Sequence, residues 1–204
     1  FDEAAAKQRL AAAGISVPAG RVAEHQAVPA AAADVGYPIT LKALGLAHKS
    51  EVGAGKVGIR NGEELAIALA AMPRTTAGYL VEATVTDVVA EVLVTVRRDP
   101  PIGWLVSLGF GGVTTELWND VTHLLAPVTT DDVKAALRTL RSAPLLTGFR
   151  GRPPADVTAL AELVVRLTDA VVGSDLVEVE LNPVLVGHHG ATAVDALMIV
   201  EDLR

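Results

Sequence analysis

Near the end of the sequence, Glu178, Glu180 and Asn182 alternate with Val177, Val179 and Leu181, and Asp195 follows within the next apolar run. On a β-strand this alternation puts the three polar side chains on one face and the aliphatic ones on the other. Asp195, on the neighbouring strand, could reach the same face. Two or three carboxylate or amide oxygens in one place suit Mg²⁺, a hard cation that takes few protein ligands and fills its shell with water and substrate phosphate. The same alternation also makes an ordinary solvated face of an antiparallel sheet. Upstream, Lys42 closes the apolar run Pro38-Ile39-Thr40-Leu41-Lys42-Ala43, where an ammonium could meet a polyphosphate as a point charge or simply lie at the surface. His48 stands in His48-Lys49-Ser50-Glu51-Val52-Gly53. A neutral imidazole can attack phosphorus and a neighbouring glycine can let it move, but spacing alone equally fits a surface loop. Gly109-Phe110-Gly111-Gly112, with Glu116 and Asp120 behind it, could cradle phosphate on backbone amides or be a plain turn. His188 and His189 are adjacent, cannot both face one site from a strand, and receive no role.

These residues need strands and helices to hold them. Half of the 204 residues are hydrophobic but aromatics are only 3%, so the core must be aliphatic: β-strands covered by Ala-rich helices. The pattern predicts helices over 2–13, 27–35, 61–71, 131–141 and 155–172. Strands are expected at 15–22, 38–43, 79–85, 88–96, 102–108, 176–181 and 191–199. The strands 79–85 and 88–96 read as joined by a short turn at Thr86-Asp87, and Gly187-His188-His189-Gly190 reads as a hairpin turn. Residues 44–58 read as one glycine-containing functional loop, and Asn182-Pro183 as the end of its strand. This is an α/β chain in two approximate lobes, 20–95 and 96–204, with helix 2–13 packed alongside.

A net charge of −7 argues against a sequence-independent grip on nucleic acid, which needs cations to displace counterions. With no cysteine, disulfides, thiolate metal sites and a cysteine nucleophile are excluded. No apolar run approaches the roughly 20 residues that span a bilayer, and no secretory pattern opens the chain. The expectation is a cytoplasmic protein with no membrane or nucleic-acid partner. Because the sequence opens at Phe1 in mid-helix pattern, it is expected to be a piece of a longer protein.

In this order the segments resemble the ATP-grasp domain of ADP-forming (NDP-forming) acyl-CoA synthetases, related to the β subunit of succinyl-CoA synthetase. The resemblance is carried by Glu3-Ala4-Ala5-Ala6-Lys7 with Gly14-Ile15, Gly36 to Lys42, His48 to Gly53, Gly109 to Gly112 with Glu116 and Asp120, Leu146 to Gly151, and Glu180-Leu181-Asn182-Pro183 with Asp195. It covers essentially the whole chain. It implies an ATP-grasp fold over residues 1–204, two α/β lobes with the nucleotide cleft between them, binding ATP or ADP and Mg²⁺. It further implies that Lys42 meets nucleotide phosphates, that Gly53 belongs to the nucleotide-binding site, that the hinge Glu82, Ala83 to Val85 meets adenine, and that Asn182 and Asp195 hold the metal. His48 matches a second phosphate-carrying histidine, and Glu180 the carboxylate that steadies a visiting phosphohistidine. The implied reaction is acyl-CoA + ADP + phosphate ⇌ acid + CoA + ATP. The CoA-binding and ligase domains would lie in the rest of the protein or in a partner subunit, so this chain alone would not complete the ligase reaction. After Gly53 the family usually has a second glycine, where this chain has Ala54. Two other readings share the fold: a regulatory nucleotide-binding module fused to a protein acetyltransferase, and another ATP-grasp carboxylate ligase.

Overall fold

The computed structural model describes residues 1–45, 54–111, 120–151 and 153–201. The chain divides into two compact units. The smaller runs from Pro18 to Thr86, and the larger joins Glu3–Val17 to the segment beginning at Asp87.

The smaller unit is a four-stranded antiparallel sheet carrying two helices. Its strands are β1 (Gly20–Ala23), β2 (Ile39–Ala43), β3 (Gly55–Ile59) and β4 (Tyr79–Ala83), in the order β1-β4-β2-β3. Helix α2 (Val28–Val35) follows a 3₁₀ turn at His25–Ala27, carries a proline in its first turn and stops at Gly36, whose φ of 86° suits glycine. Helix α3 (Gly62–Ala71) starts where the Asn61 side chain accepts from the Glu64 amide at 2.9 Å. Ile39, Leu41, Ala43, Tyr79 and Val81 alternate onto the sheet face that packs with Val28, Ala32, Leu65 and Leu69 in this unit's core.

The larger unit is built on a six-stranded antiparallel sheet. Its strands are β5 (Ala90–Asp99), β6 (Gly103–Phe110), β7 (Val121–Leu125), β8 (Leu176–Val186), β9 (Ala191–Ala193) and β10 (Ala196–Val200). Its order is β10-β8-β5-β6-β7, with β9 also paired to β8. Helices α1 (Glu3–Ala12), α4 (Thr130–Leu137), α5 (Ala143–Thr147) and α6 (Val157–Val171) complete it. The Asp156 carboxylate caps α6 by accepting from the Ala159 amide at 2.9 Å. Leu160, Leu163, Val164, Leu167 and Val171, at helical spacing, bury against Val92, Val94, Val96, Val179 and Leu181.

Several expectations change. Strands 79–85 and 88–96 do not form a hairpin: β4 lies between β1 and β2, while β5 lies between β8 and β6. The division between units therefore falls at Thr86/Asp87 rather than 95/96, and helix α1 joins the larger unit. The expected strand at 15–22 shrinks to Gly20–Ala23, where it finds β4 as a partner. Part of the expected loop 44–58 is edge strand β3, two glycines of which obscure the pattern. Strand β7 and helix α5 were not anticipated, and the run 191–199 breaks into β9 and β10 at Val194-Asp195.

Asn182-Pro183 does not end its strand. Val92 pairs with Val184 and Val94 with Leu181, so Asn182 and Pro183 together oppose the single residue Leu93. This two-against-one bulge accommodates the proline, whose missing N–H would otherwise break the ladder.

Candidate functional site

In the smaller unit, β2 and β4 are direct neighbours with Thr40 opposite Glu82 and Lys42 opposite Leu80. Thr40, Lys42, Glu82 and Thr84 consequently share the face opposite the hydrophobic core. Lys42 Nζ lies 3.5 Å from Glu82 Oε1, with side-chain exposures of only 13% and 3%. Beside them the hydroxyls of Thr40 and Thr84 are 3.0 Å apart. Across β4, Gly20 opposes Glu82, and a Cβ there would sit 2.8 Å from Glu82 Cβ and 2.7 Å from the Val81 carbonyl oxygen. Only glycine fits beside the Glu82 side chain.

The amide of Ala83 donates to the Ala19 carbonyl at 2.8 Å and that of Thr84 to the Pro38 carbonyl at 2.9 Å. Val85 follows, half-buried, in the irregular segment leading from β4 towards β5.

In the larger unit the bulge on β8 determines the second group. Ala196 opposes Leu181 and Leu197 opposes Glu180, so the next position back brings Asp195 beside Asn182, whose amide donates to the Asp195 carbonyl at 3.3 Å. Asn182 Nδ2 donates to Glu180 Oε1 at 3.3 Å. A carboxylate only accepts, so Asn182 turns its NH₂ to Glu180 and its carbonyl oxygen away. Asp195 Oδ1 accepts from the Ala196 amide at 2.8 Å, which fixes the carboxylate and leaves Oδ2 outside that contact. Glu180, Asn182 and Asp195 are thus brought together as the strand alternation anticipated.

This donor set fits a hard cation that is completed by water and phosphate: one amide oxygen and one carboxylate oxygen, held by neighbouring groups. Among the described residues no cluster of three or more His, Cys, Asp or Glu could hold a metal unaided.

Farther along the larger unit, Asp120 Oδ1 accepts from the Arg141 amide at 2.9 Å, and Oδ2 from the Ser142 amide at 2.8 Å and from the Ser142 hydroxyl. Burial pushes the Asp120 carboxyl up, but the Ser142 hydroxyl and the two amides outweigh it and hold the group below the usual carboxylate range. Asp120 thereby ties the entry of β7 to the junction before α5. Asp87 does similar work at the β8–β9 hairpin, accepting from the amides of His188 and His189 at 2.9 and 3.3 Å.

His48 and Gly53 lie outside the described residues, as do Gly112 and Glu116 of the second glycine cluster. Lys42, Glu82, Ala83 and Val85 belong to the smaller unit, and Glu180, Asn182 and Asp195 to the larger. Sequence reasoning missed the Lys42–Glu82 ion pair and the Asp120 clamp. The shared parity of Thr40/Lys42 and Glu82/Thr84 was visible, but the pairing of β2 with β4 was not, because β3 and α3 intervene in the chain.

Residues 1–200 match the sequence profile of the ATP-grasp domain. The chain is 33% identical over 211 residues to the β subunit of ADP-forming acetate–CoA ligase I from Pyrococcus furiosus, covering 97% of this chain and 90% of that subunit. It is 36% identical over 211 residues to a trans-feruloyl-CoA synthase from an unknown prokaryotic organism, covering 96% of this chain but only 30% of that protein. Among solved structures it resembles the dinucleotide-forming acetyl-coenzyme A synthetase 1 of Ca. Korarchaeum cryptofilum in complex with coenzyme A and Ca-AMPCP. That match has a TM-score of 0.92 at 30% identity, over 98% of this chain and 93% of that one. A second form of the same synthetase, with Mg-AMPPCP and a phosphohistidine segment pointing towards the nucleotide binding site, matches with a TM-score of 0.84 at 30% identity, over 98% and 92%. The protein belongs to the ATP-grasp family, and is an ATP-grasp domain homologous to the β subunits of ADP-forming acetate–CoA ligases.

Proposed function

We propose that residues 1–204 act as the nucleotide-binding domain of an ADP-forming acyl-CoA synthetase, taking part in acyl-CoA + ADP + phosphate ⇌ acid + CoA + ATP. The observation that carries this reading is the grouping of Glu180, Asn182 and Asp195 at the bulge of β8, in a chain whose relatives are ligases of this kind. Asn182 and Asp195 would hold Mg²⁺, which when bound would neutralise phosphate oxygens of the nucleotide. Glu180, already directed at Asn182, would accept an imidazole N–H from a phosphohistidine delivered by another domain and fix its tautomer.

Lys42 would contribute a cation to the phosphates, assisted by Gly53 and by His48 as a phosphate carrier in the segment between β2 and β3. Adenine would meet the hinge Glu82 to Val85. The amides of Ala83 and Thr84 already have carbonyl partners, so the base would use hinge carbonyls or residue 85. The acyl group and CoA would be handled by CoA-binding and ligase domains elsewhere in the protein or in a partner subunit. Such an enzyme would work in the cytoplasm, where ADP and CoA are found. No described helix is long and apolar enough to cross a membrane.

Calorimetric titration with ADP and ATP, with and without Mg²⁺, tests the reading. Saturable binding that Mg²⁺ strengthens, and that Lys42→Ala, Asn182→Ala and Asp195→Ala each weaken about tenfold or more, is expected. Wild-type-like binding by folded Asn182→Ala and Asp195→Ala would remove the metal assignment. Absence of any nucleotide binding by the folded domain would remove the whole reading.

A further inference from the structure

The Lys42–Glu82 pair is costly to bury and is placed on the sheet face opposite the core. Glu82 stands on the inner strand β4, with Thr40 directly opposite on β2, Gly20 directly opposite on β1, and Lys42 diagonal to it on the same face. Gly20 leaves room for the acid side chain at the contact limit, and the 3% exposure of that side chain keeps it out of solvent. The carboxylate is therefore built in next to the ammonium.

We propose that the Glu82 side chain is an intrinsic competitor of the nucleotide: it supplies the counter-charge to Lys42 when phosphate is absent and limits how tightly Lys42 can hold phosphate when it arrives. This inference rests on the reading that Lys42 contacts phosphate. A lone buried ammonium attracts a polyphosphate as a full charge, whereas an ammonium with a carboxylate 3.5 Å away attracts it as a dipole, whose pull falls off faster with distance. The consequence is a site that releases nucleotide, as a reversible phosphoryl transfer requires in both directions. Glu82 also carries the first backbone of the adenine hinge, so one residue would bind the base through its main chain while restraining the phosphates through its side chain.

The experiment measures affinity for ADP and for inorganic tripolyphosphate, both without Mg²⁺, in the wild type, Glu82→Gln, Glu82→Asp and Lys42→Ala, each checked for folding by circular dichroism. Glu82→Gln keeps shape and main chain and removes the charge, so it is expected to bind both probes roughly tenfold more tightly than wild type. Glu82→Asp, with its charge withdrawn by one methylene, is expected to tighten binding by a smaller factor, and it decides the matter if Glu82→Gln fails to fold. Tightening for tripolyphosphate as well as ADP locates the effect at the phosphates, since tripolyphosphate has no base for the hinge. Wild-type or weaker binding by the folded Glu82 variants, with Lys42→Ala still weakened, overturns the competitor role alone. Unchanged binding by Lys42→Ala overturns the phosphate reading of Lys42 beneath it.

Discussion

Replacing Asp120 by Asn changes one atom and tests how the clamp before α5 works. In the native protein Oδ1 receives the Arg141 amide and Oδ2 receives both the Ser142 amide and its hydroxyl. In the least damaging rotamer the new NH₂ replaces Oδ1, so it faces the Arg141 N–H donor to donor, while the two Ser142 bonds survive without charge assistance. One charge-assisted bond lost and two weakened, in a half-exposed position, amounts to about 2 kcal/mol. For a chain of this size that lowers Tm by about 4–8 °C. The pH dependence follows from the direction of the shift. The folded carboxyl titrates below its ordinary value, so its contribution is complete above the unfolded pKa of about 3.9 and is lost as pH falls through the lower folded value. Urea unfolding followed by circular dichroism at pH 7, 5, 4 and 3 should therefore give a wild-type advantage that is constant from pH 7 to 5 and shrinks towards pH 3. An equal advantage at pH 3 and pH 7, or none at pH 7, would refute this account of the clamp.

Glu3 and Lys7 form a 2.9 Å pair one helical turn apart, with exposures of 1% and 6%, so Glu3→Ala leaves a buried ammonium without that carboxylate and should cost about 3–5 kcal/mol in chemical denaturation. Leu160→Ala, at a fully buried position on α6, should cost about 2–5 kcal/mol by the same assay; a cost below about 1 kcal/mol would mean that the helix is not packed as described. Gly20→Ala should destabilise the smaller unit through its clash with the Val81 carbonyl and Glu82, and Gly36→Ala through its positive φ alone; hydrogen exchange should register the first as faster exchange in β4 and the second at the end of α2. Thr129→Ala, which removes the capping box of α4, should cost about 0.5–2 kcal/mol in thermal unfolding.

Much of the Glu180–Asn182–Asp195 group was legible in the sequence because it depends on a period of two. Glu180 and Asn182 had to share a face once the run was a strand, and Asp195 needed only an antiparallel return. The bulge that keeps β8 continuous through Pro183 was not legible, since it depends on the register against β5, a strand about ninety residues earlier in the chain. The same limit hid the Lys42–Glu82 pair, because nothing local says that β4 rather than β3 is the partner on that side of β2. Short elements such as β3 and β7 failed for a different reason: GKVGI has only two apolar residues and VTHLL sets its three without alternation, so only their neighbours make them strands. Asp120 was singled out as one of the acids behind a glycine cluster, and its partners at 141 and 142 had no sequence signal at all.

The larger unit is interrupted: α1 buries Ala6 and Leu10 in its core, Ser16 accepts from the Ala193 amide, and Arg9 pairs with Asp175 at 2.8 Å, yet the entire smaller unit is threaded between these two stretches of chain. On the ribosome the smaller unit can close as soon as β4 emerges, because all four of its strands are then available. Helix α1, by contrast, gains its contacts within this domain only once β8, β9 and β10 have been made. The face it later buries, Glu3, Ala6, Lys7 and Leu10, stays outside that core meanwhile, and slowing translation after Thr86 would leave the smaller unit's folding untouched while lengthening that interval.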